Sequence, residues 1–135
     1  MEGWTTEVTI DVAWGEMDAL GHVNNIRYIA WAETARIALF QKLGMSTRAG
    51  DPIGPILARI ECDYLEQVEY PTRVTVGIKA ERIGNTSITL VHEIWRTDEP
   101  GRAVARGRAV VVLLDYATQQ KVRVPDRFRA ALSGG

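Results

Sequence analysis

Asn25-Ile26-Arg27-Tyr28-Ile29-Ala30-Trp31-Ala32-Glu33-Thr34-Ala35-Arg36-Ile37-Ala38-Leu39-Phe40-Gln41-Lys42-Leu43-Gly44 is the stretch that decides how this chain folds. Its large apolar residues, Ile26, Tyr28, Ile29, Trp31, Ile37, Leu39, Phe40 and Leu43, lie all round a helix, with alanines between them. Only Arg27, Glu33, Thr34, Arg36, Gln41 and Lys42 interrupt. At ~1.5 Å per residue the helix is roughly 28 Å long. A helix apolar on nearly all sides must be wrapped by other structure. Asn24 and Asn25 read as its caps, because a short amide side chain can accept one of the N–H groups a helix start leaves unpaired. Gly44 reads as a left-handed C-terminal cap. Glu33 stands out, since burial of a carboxylate is costly without a partner; Arg36, three residues on, could supply one.

On the N-terminal side, Val8, Ile10, Val12 and Trp14 alternate with Thr9, Asp11 and Ala13, the period of a half-buried strand ending at Gly15. On the C-terminal side, a Gly- and Pro-containing loop (Ser46 to Pro55) leads into four strand-like runs: Ile56 to Leu65, Arg73 to Arg82, Thr86 to Thr97 and Arg102 to Asp115. Gly84-Asn85 and Asp98-Glu99-Pro100-Gly101 read as antiparallel hairpin turns. In the last run Ala103, Ala105, Gly107 and Ala109 share one face, against which a large helix could lie close, and Arg102, Arg106 and Arg108 share the other. Pro125 to Leu132 reads as a short closing helix. The chain thus predicts one α+β domain spanning 1–135, with an antiparallel five-stranded sheet and one long helix in the order β-α-β-β-β-β. One helix leaves the opposite sheet face bare and the sheet edges open, which predicts a homo-oligomer, dimer or tetramer.

Composition narrows the function classes. The formal charge of -1, with signs mixed throughout, gives no field that favours nucleic acid or an anionic membrane. The single cysteine, Cys62, cannot form an internal disulfide and reads as a small buried residue. The longest uninterrupted apolar run, Ala109 to Leu114, is too short to span a bilayer, and no signal peptide is evident, so a soluble cytoplasmic protein is expected. There is no G-x-x-x-x-G-K loop, no G-x-G-x-x-G and no G-x-S-x-G elbow. The only histidines, His22 and His92, are too far apart in sequence to suggest a metal site; no metal and no cofactor are expected. His92 shares strand parity with Ile88, Leu90 and Ile94 and reads as a satisfied core histidine.

Chemistry concentrates in Gly15-Glu16-Met17-Asp18-Ala19-Leu20-Gly21-His22-Val23-Asn24-Asn25, a polar loop that runs straight into the long helix. Asp18 and His22 lie four residues apart, next to the positive end of the helix dipole. The run Asp18-Ala19-Leu20-Gly21-His22-Val23-Asn24-Asn25 with Tyr28 resembles the D-x-x-G-H-V-N-N-x-x-Y signature of hotdog-fold acyl-CoA thioesterases related to 4-hydroxybenzoyl-CoA thioesterase. The second hotdog repeat of plant acyl-ACP thioesterases is similar there. The likeness continues through Arg59-Ile60-Glu61-Cys62-Asp63-Tyr64, Arg82-Ile83-Gly84-Asn85-Thr86-Ser87 and Lys121-Val122-Arg123-Val124-Pro125. Two departures stand out: Leu20 occupies the position of an asparagine in the plant enzymes, and Gln67 with Tyr70-Pro71-Thr72 replaces a proline and Gly-Asp turn.

The resemblance implies a hotdog fold, in which the sheet wraps the helix, and an acyl-CoA substrate hydrolysed to free acid and CoA at a site between two subunits. It implies that Asp18 is the catalytic carboxylate, as nucleophile or general base, and that His22 joins it. It further implies that Asn25 and Tyr28 line the acyl pocket and that Arg82, Thr86 and Ser87 lie in a phosphate-contacting hairpin. The alternatives are an acyl-ACP thioesterase, a hotdog dehydratase or hydratase, and a non-catalytic acyl-binding module. Residue by residue, duller roles remain open: Asp18 and His22 as loop-forming groups, Asn25 as a cap, Tyr28 and Trp31 as core or interface aromatics.

Overall fold

The computed structural model describes residues 3–45 and 53–133. The elements are β1 (Thr6–Asp11), α1 (Asn25–Lys42), β2 (Ile53–Tyr64), β3 (Arg73–Ile83), β4 (Ser87–Arg96), β5 (Ala103–Asp115), β6 (Gln120–Lys121) and α2 (Asp126–Ser133). The sheet is antiparallel in the order β1-β3-β4-β5-β2, with β6 pairing β5. Short turns make β3, β4 and β5 neighbours, whereas β1 and β2 occupy opposite edges of that path. α1 joins them and therefore has to cross one face of the sheet. This is the α+β architecture expected, with β6 as an additional two-residue strand. Residues 46–52 of the expected Gly- and Pro-containing loop lie outside the described residues, and Pro55, assigned to that loop, is already in β2. A proline is tolerated there because β2 is an edge strand of the chain's sheet.

Three other expectations are corrected. β1 stops at Asp11 rather than Gly15: Val12 N–H bonds to Thr72 O at 3.0 Å, and Trp14–Glu16 forms a single 3₁₀ turn. The Glu16 carboxylate holds that turn by accepting from Ala13 N at 2.7 Å and from Trp31 Nε1 at 3.3 Å. Within one chain α1 is covered on one face only. Tyr28, Trp31, Ala32, Ala35, Arg36, Leu39 and Phe40 are buried, at the i, i+3, i+4 spacing of an amphipathic stripe, while Ile26 and Ile37 are exposed. The buried charge is accordingly Arg36, which falls on the stripe, and Glu33 is the exposed partner at 3.7 Å. Burial lowers the Arg36 pKa from its ordinary value.

The third correction concerns the small-residue face of β5. α1 approaches β1 and β3 most closely rather than β5. The space left by the missing side chain of Gly107 is instead taken by the His92 ring and the Glu61 carbonyl, into which a Cβ would collide. The core proper joins Tyr28, Trp31, Leu39 and Phe40 of α1 to Val76, Ile78, Ile88, Leu90, Ile94, Val111 and Leu113 of the sheet. Phe128 and Leu132 of α2 close one end.

Among the described residues the outer sheet face is bare of helices, as expected, and it is largely polar. Thr9, Thr75 and Thr97 form a row of hydroxyl bonds at 3.2 and 2.9 Å, and Arg108 makes a two-point pair with Glu81. Trp4 lies over Gly77, 6.4 Å from Trp95 between ring centroids, with the Lys79 ammonium 5.2 Å from its ring. The β2 edge carries Ile53, Ile56 and Leu57, all exposed.

His92 is buried on the inner face, as its parity requires, but its Nε2 has no hydrogen-bond partner among the described residues. Burial, and secondarily the Arg36 charge, lower its pKa from 6.5 to about 4. An unfolded chain therefore binds a proton at this site before the folded one does. The stability conferred by neutral His92 is complete above pH 6.5 and is lost as the pH falls towards 4, by roughly 3 kcal/mol at most. Urea unfolding of wild type and His92→Leu at neutral pH and near pH 4.5 should show a larger acid loss for wild type; parallel losses would mean that His92 is not the group responsible.

Candidate functional site

The Asp18 loop is a small self-bonded unit. Asp18 N–H bonds to His22 O at 2.8 Å, Gly21 N–H to Asp18 O at 3.1 Å, and Gly21 takes the left-handed φ of 84° that closes the turn. Asp18 Oδ1 accepts the Leu20 N–H at 2.9 Å and, more weakly, the His22 N–H at 3.4 Å. Oδ2 receives no bond among the described residues. The loop is stitched to its surroundings by a Met17–Val23 bridge, by Val23 N–H to Val68 O at 2.8 Å and by Asn24 N–H to Glu16 O at 2.9 Å.

Asn24 is the helix cap: its Oδ1 accepts Ile26 N–H at 3.0 Å, and its carbonyl accepts Arg27 N–H at 2.9 Å. Asn25 is the first residue of α1 rather than a cap, and its N–H has no partner among the described residues. The helix start thus presents one unassigned donor and its positive dipole end beside the Asp18 loop.

Asp18, His22, Asn25 and Tyr28 line one cavity of about 710 Å³, whose other wall is the end of β2 and the segment after it, Tyr64 to Gln67 with Glu69. Asp18 is exposed and Tyr28 is buried. The phenol of Tyr28 donates to Glu66 O at 3.0 Å and that of Tyr64 to Asn25 O at 3.0 Å, while the two rings meet edge-on at 5.2 Å. Burial raises the pKa of both phenols, so they stay protonated donors. With its hydroxyl engaged, Tyr28 offers the cavity a ring rather than a polar contact. His22 Nε2 lies 3.7 Å from Glu69 Oε1. The Glu66 carboxylate pairs with Arg102 and, at 3.2 Å, with Arg96; the Arg102 bond leads in lowering its pKa. Cys62 is half-buried and its thiol pKa is raised by burial, which disfavours the thiolate.

Tyr64, Glu66 and Glu69 were not singled out as site residues by sequence reasoning. Tyr64 closes one of the runs of family likeness, a usable signal; Glu69 carries none. Arg82, Thr86 and Ser87 are not in this cavity. Arg82 is nine residues along β3 from the end nearest the Asp18 loop, about 30 Å at strand rise. It lines a separate cavity of about 520 Å³ together with Arg129 and Leu132 of α2. One chain therefore holds the two sets at opposite ends of the sheet. Among the described residues no three His, Cys, Asp or Glu side chains gather as a metal site would require.

Residues 12–132 match the family model described as the thioesterase-like superfamily. YsmA of Bacillus subtilis, an uncharacterized protein, is 32% identical over 123 residues, covering 91% of this chain and 82% of its own. A proposed thioesterase from Pseudomonas aeruginosa is similar in structure, with a TM-score of 0.90 at 34% identity, covering 96% of this chain and 98% of that one. A thioesterase from Thermus thermophilus, solved with coenzyme A and zinc, superposes with a TM-score of 0.84 at 29% identity, covering 99% of this chain and 96% of that one.

The two phenol bonds tie the first turn of α1 to the end of β2. Tyr64→Phe removes the bond to Asn25 O while keeping the ring, and should lower the unfolding free energy by ~1 kcal/mol in urea titrations. An unchanged midpoint would show that this bond does not hold the cavity wall.

Proposed function

This chain belongs to the thioesterase-like superfamily, and from that membership we propose that it is an acyl-CoA thioesterase, acting in the cytoplasm as a homo-oligomer of single-domain subunits. It takes an acyl-CoA and water to the free acid and CoA. The observation that carries this reading is the placement of Asp18, anchored through Oδ1 by its own loop, in one cavity with the start of α1. Support for CoA as the carrier comes from the Thermus thermophilus neighbour, which was solved with coenzyme A. The motif likeness points more narrowly to relatives of 4-hydroxybenzoyl-CoA thioesterase.

The chemistry follows from these groups. Thioester hydrolysis needs a nucleophile or base at the carbonyl carbon and donors for the oxygen that becomes negative. Asp18 either attacks the carbonyl, forming a mixed anhydride and releasing CoA thiolate before water opens the anhydride, or takes a proton from the attacking water. In both routes the carbonyl oxygen gains charge, and the Asn25 N–H at the positive end of α1 is the donor placed to meet it. The N–H groups of Leu20 and His22, both donating to Asp18 Oδ1, fix the orientation of the carboxylate. His22, paired with Glu69, orients the loop or relays a proton to the leaving thiolate. Asn25 and the rings of Tyr28 and Tyr64 form the wall for the acyl group, and Arg82, Thr86 and Ser87 contact the phosphates of CoA. Because one chain keeps those two sets at opposite ends, the complete site is composed from two subunits, joined where the exposed apolar β2 edge invites a second copy.

Asp18→Asn keeps shape and removes basicity. Its kcat for thiol release from an acyl-CoA should fall by about a hundredfold or more, with KM changed far less. A folded variant that keeps more than about a tenth of wild-type kcat, a deficit of only ~1.4 kcal/mol, removes Asp18 from the chemistry. Sedimentation equilibrium at micromolar concentration should show dimers or tetramers; a stably folded monomer that turns over substrate would overturn the composite site.

A further inference from the structure

The C-terminal helix has no part in the chemistry just described, yet one of its side chains is tied closely to the hairpin at the far end of the sheet. Phe128 and Leu132 sit four residues apart on α2 and are both buried, which seats the helix against the core and brings Arg129 against the β3–β4 turn. Arg129 Nη2 donates to Gly84 O at 2.7 Å and to Asn85 O at 3.2 Å, and its Nε donates to Val124 O at 3.1 Å. Val124 N–H returns a bond to Asn85 O at 2.9 Å, and Gly84 N–H closes the turn on Ser87 O at 2.8 Å. One guanidinium thus binds three carbonyls from two separate segments.

The charges around it give this arrangement a direction. Carbonyls at the tip of a turn present partial negative charge, which repels an approaching phosphate; here two of them are capped by a cation. The nearest acid of the adjoining cavity, Glu81, is already taken by Arg108 at 3.1 and 2.8 Å. Neither Arg82 nor Arg129 has a carboxylate partner among the described residues. The cavity of about 520 Å³ therefore has two cations at its wall, and the acid beside them, Glu81, is paired with Arg108.

We propose that Arg129 is a positioning residue that fixes the Gly84–Ser87 turn and cancels its carbonyl field, so that Arg82 beside it receives a phosphate of the CoA nucleotide. The inference rests on the acyl-CoA reading above. Geometry matters as much as charge: a planar guanidinium can reach the three carbonyls at once, whereas a lysine ammonium on a flexible stem is not held to that fan.

The test compares an acyl-CoA with the N-acetylcysteamine thioester of the same acyl group, which lacks the nucleotide, in wild type, Arg129→Ala, Arg129→Lys and Arg82→Ala. Arg129→Ala should raise the ratio of the two KM values (CoA over truncated) by about tenfold, mainly through the CoA ester, with the kcat ratio little moved. Arg129→Lys keeps the charge and protects the fold, and should still raise the ratio by about threefold or more; it decides the matter if the alanine variant does not fold. A ratio unchanged in Arg129→Lys and in folded Arg129→Ala overturns the proposal and leaves Arg129 a structural clamp. If Arg82→Ala moves the ratio and the Arg129 variants do not, the phosphate site stands and only the inference falls. If wild type releases thiol from neither substrate, the thioesterase reading itself has failed.

Discussion

Two phenol hydroxyls hold the candidate site together. Tyr64 at the end of β2 donates to the first carbonyl of α1, and Tyr28 in the first turn of α1 donates to the segment that follows β2. These crossed bonds fix the position of the helix start against the sheet edge, and the rings, edge to face, leave little freedom to slide. Every other feature of the cavity depends on that seating. The Asp18 loop is bonded between Glu16, Val68 and its own atoms, and it delivers a carboxylate to the place where α1 begins. Were the helix start displaced, Asp18 and Asn25 would no longer line one volume.

Charge is distributed unevenly between the two ends of the sheet. The cavity beside Asp18 is acidic, with Glu66 and Glu69 on its wall; Glu66 is engaged by Arg96 and Arg102, and Glu69 lies 3.7 Å from the His22 ring. At the other end the wall carries Arg82 and Arg129, while Glu81 is engaged by Arg108. Among the described residues Asp18 has no cationic partner at one end, and two guanidiniums without a carboxylate partner stand at the other, in a chain whose net formal charge is only -1.

Much of this was legible in the sequence because it is written in local rules. Asn24 caps Ile26, α1 runs to Lys42, Gly44 takes a positive φ of 76°, and the alternating runs became strands within a few residues of their expected ends. The Asp18 loop announced itself by residue types that suit turns and acid–base chemistry. What failed was settled across the chain rather than along it. A helix that looks apolar all round still presents a single stripe to the sheet, and Arg36 rather than Glu33 falls on it. The glycine in β5 makes room for a histidine, which the pattern within either strand does not reveal, since His92 folds over Gly107 from the neighbouring strand. Tyr64 and Glu69 meet their partners only after β2 has been carried to its edge, 39 residues beyond Asn25 in the first case.

The placement of β1 and β2 at opposite edges also sets the order in which the molecule can assemble. β3, β4 and β5 are joined by short turns, so their pairing closes small loops and costs little chain entropy. β1 must find β3 across a separation such as the 66 positions between Thr9 and Thr75, with α1 and β2 in the intervening chain. Such long-range pairing slows folding and comes late, because closure has to be complete before its contacts repay it. The central meander thus has the least costly closure, and β1, whose partner strand lies furthest along the chain, loses the most chain entropy when it docks. Until it does, the β3 edge is open to strangers, and the strand that leads into the Asp18 loop is the one on which protection from misassembly depends.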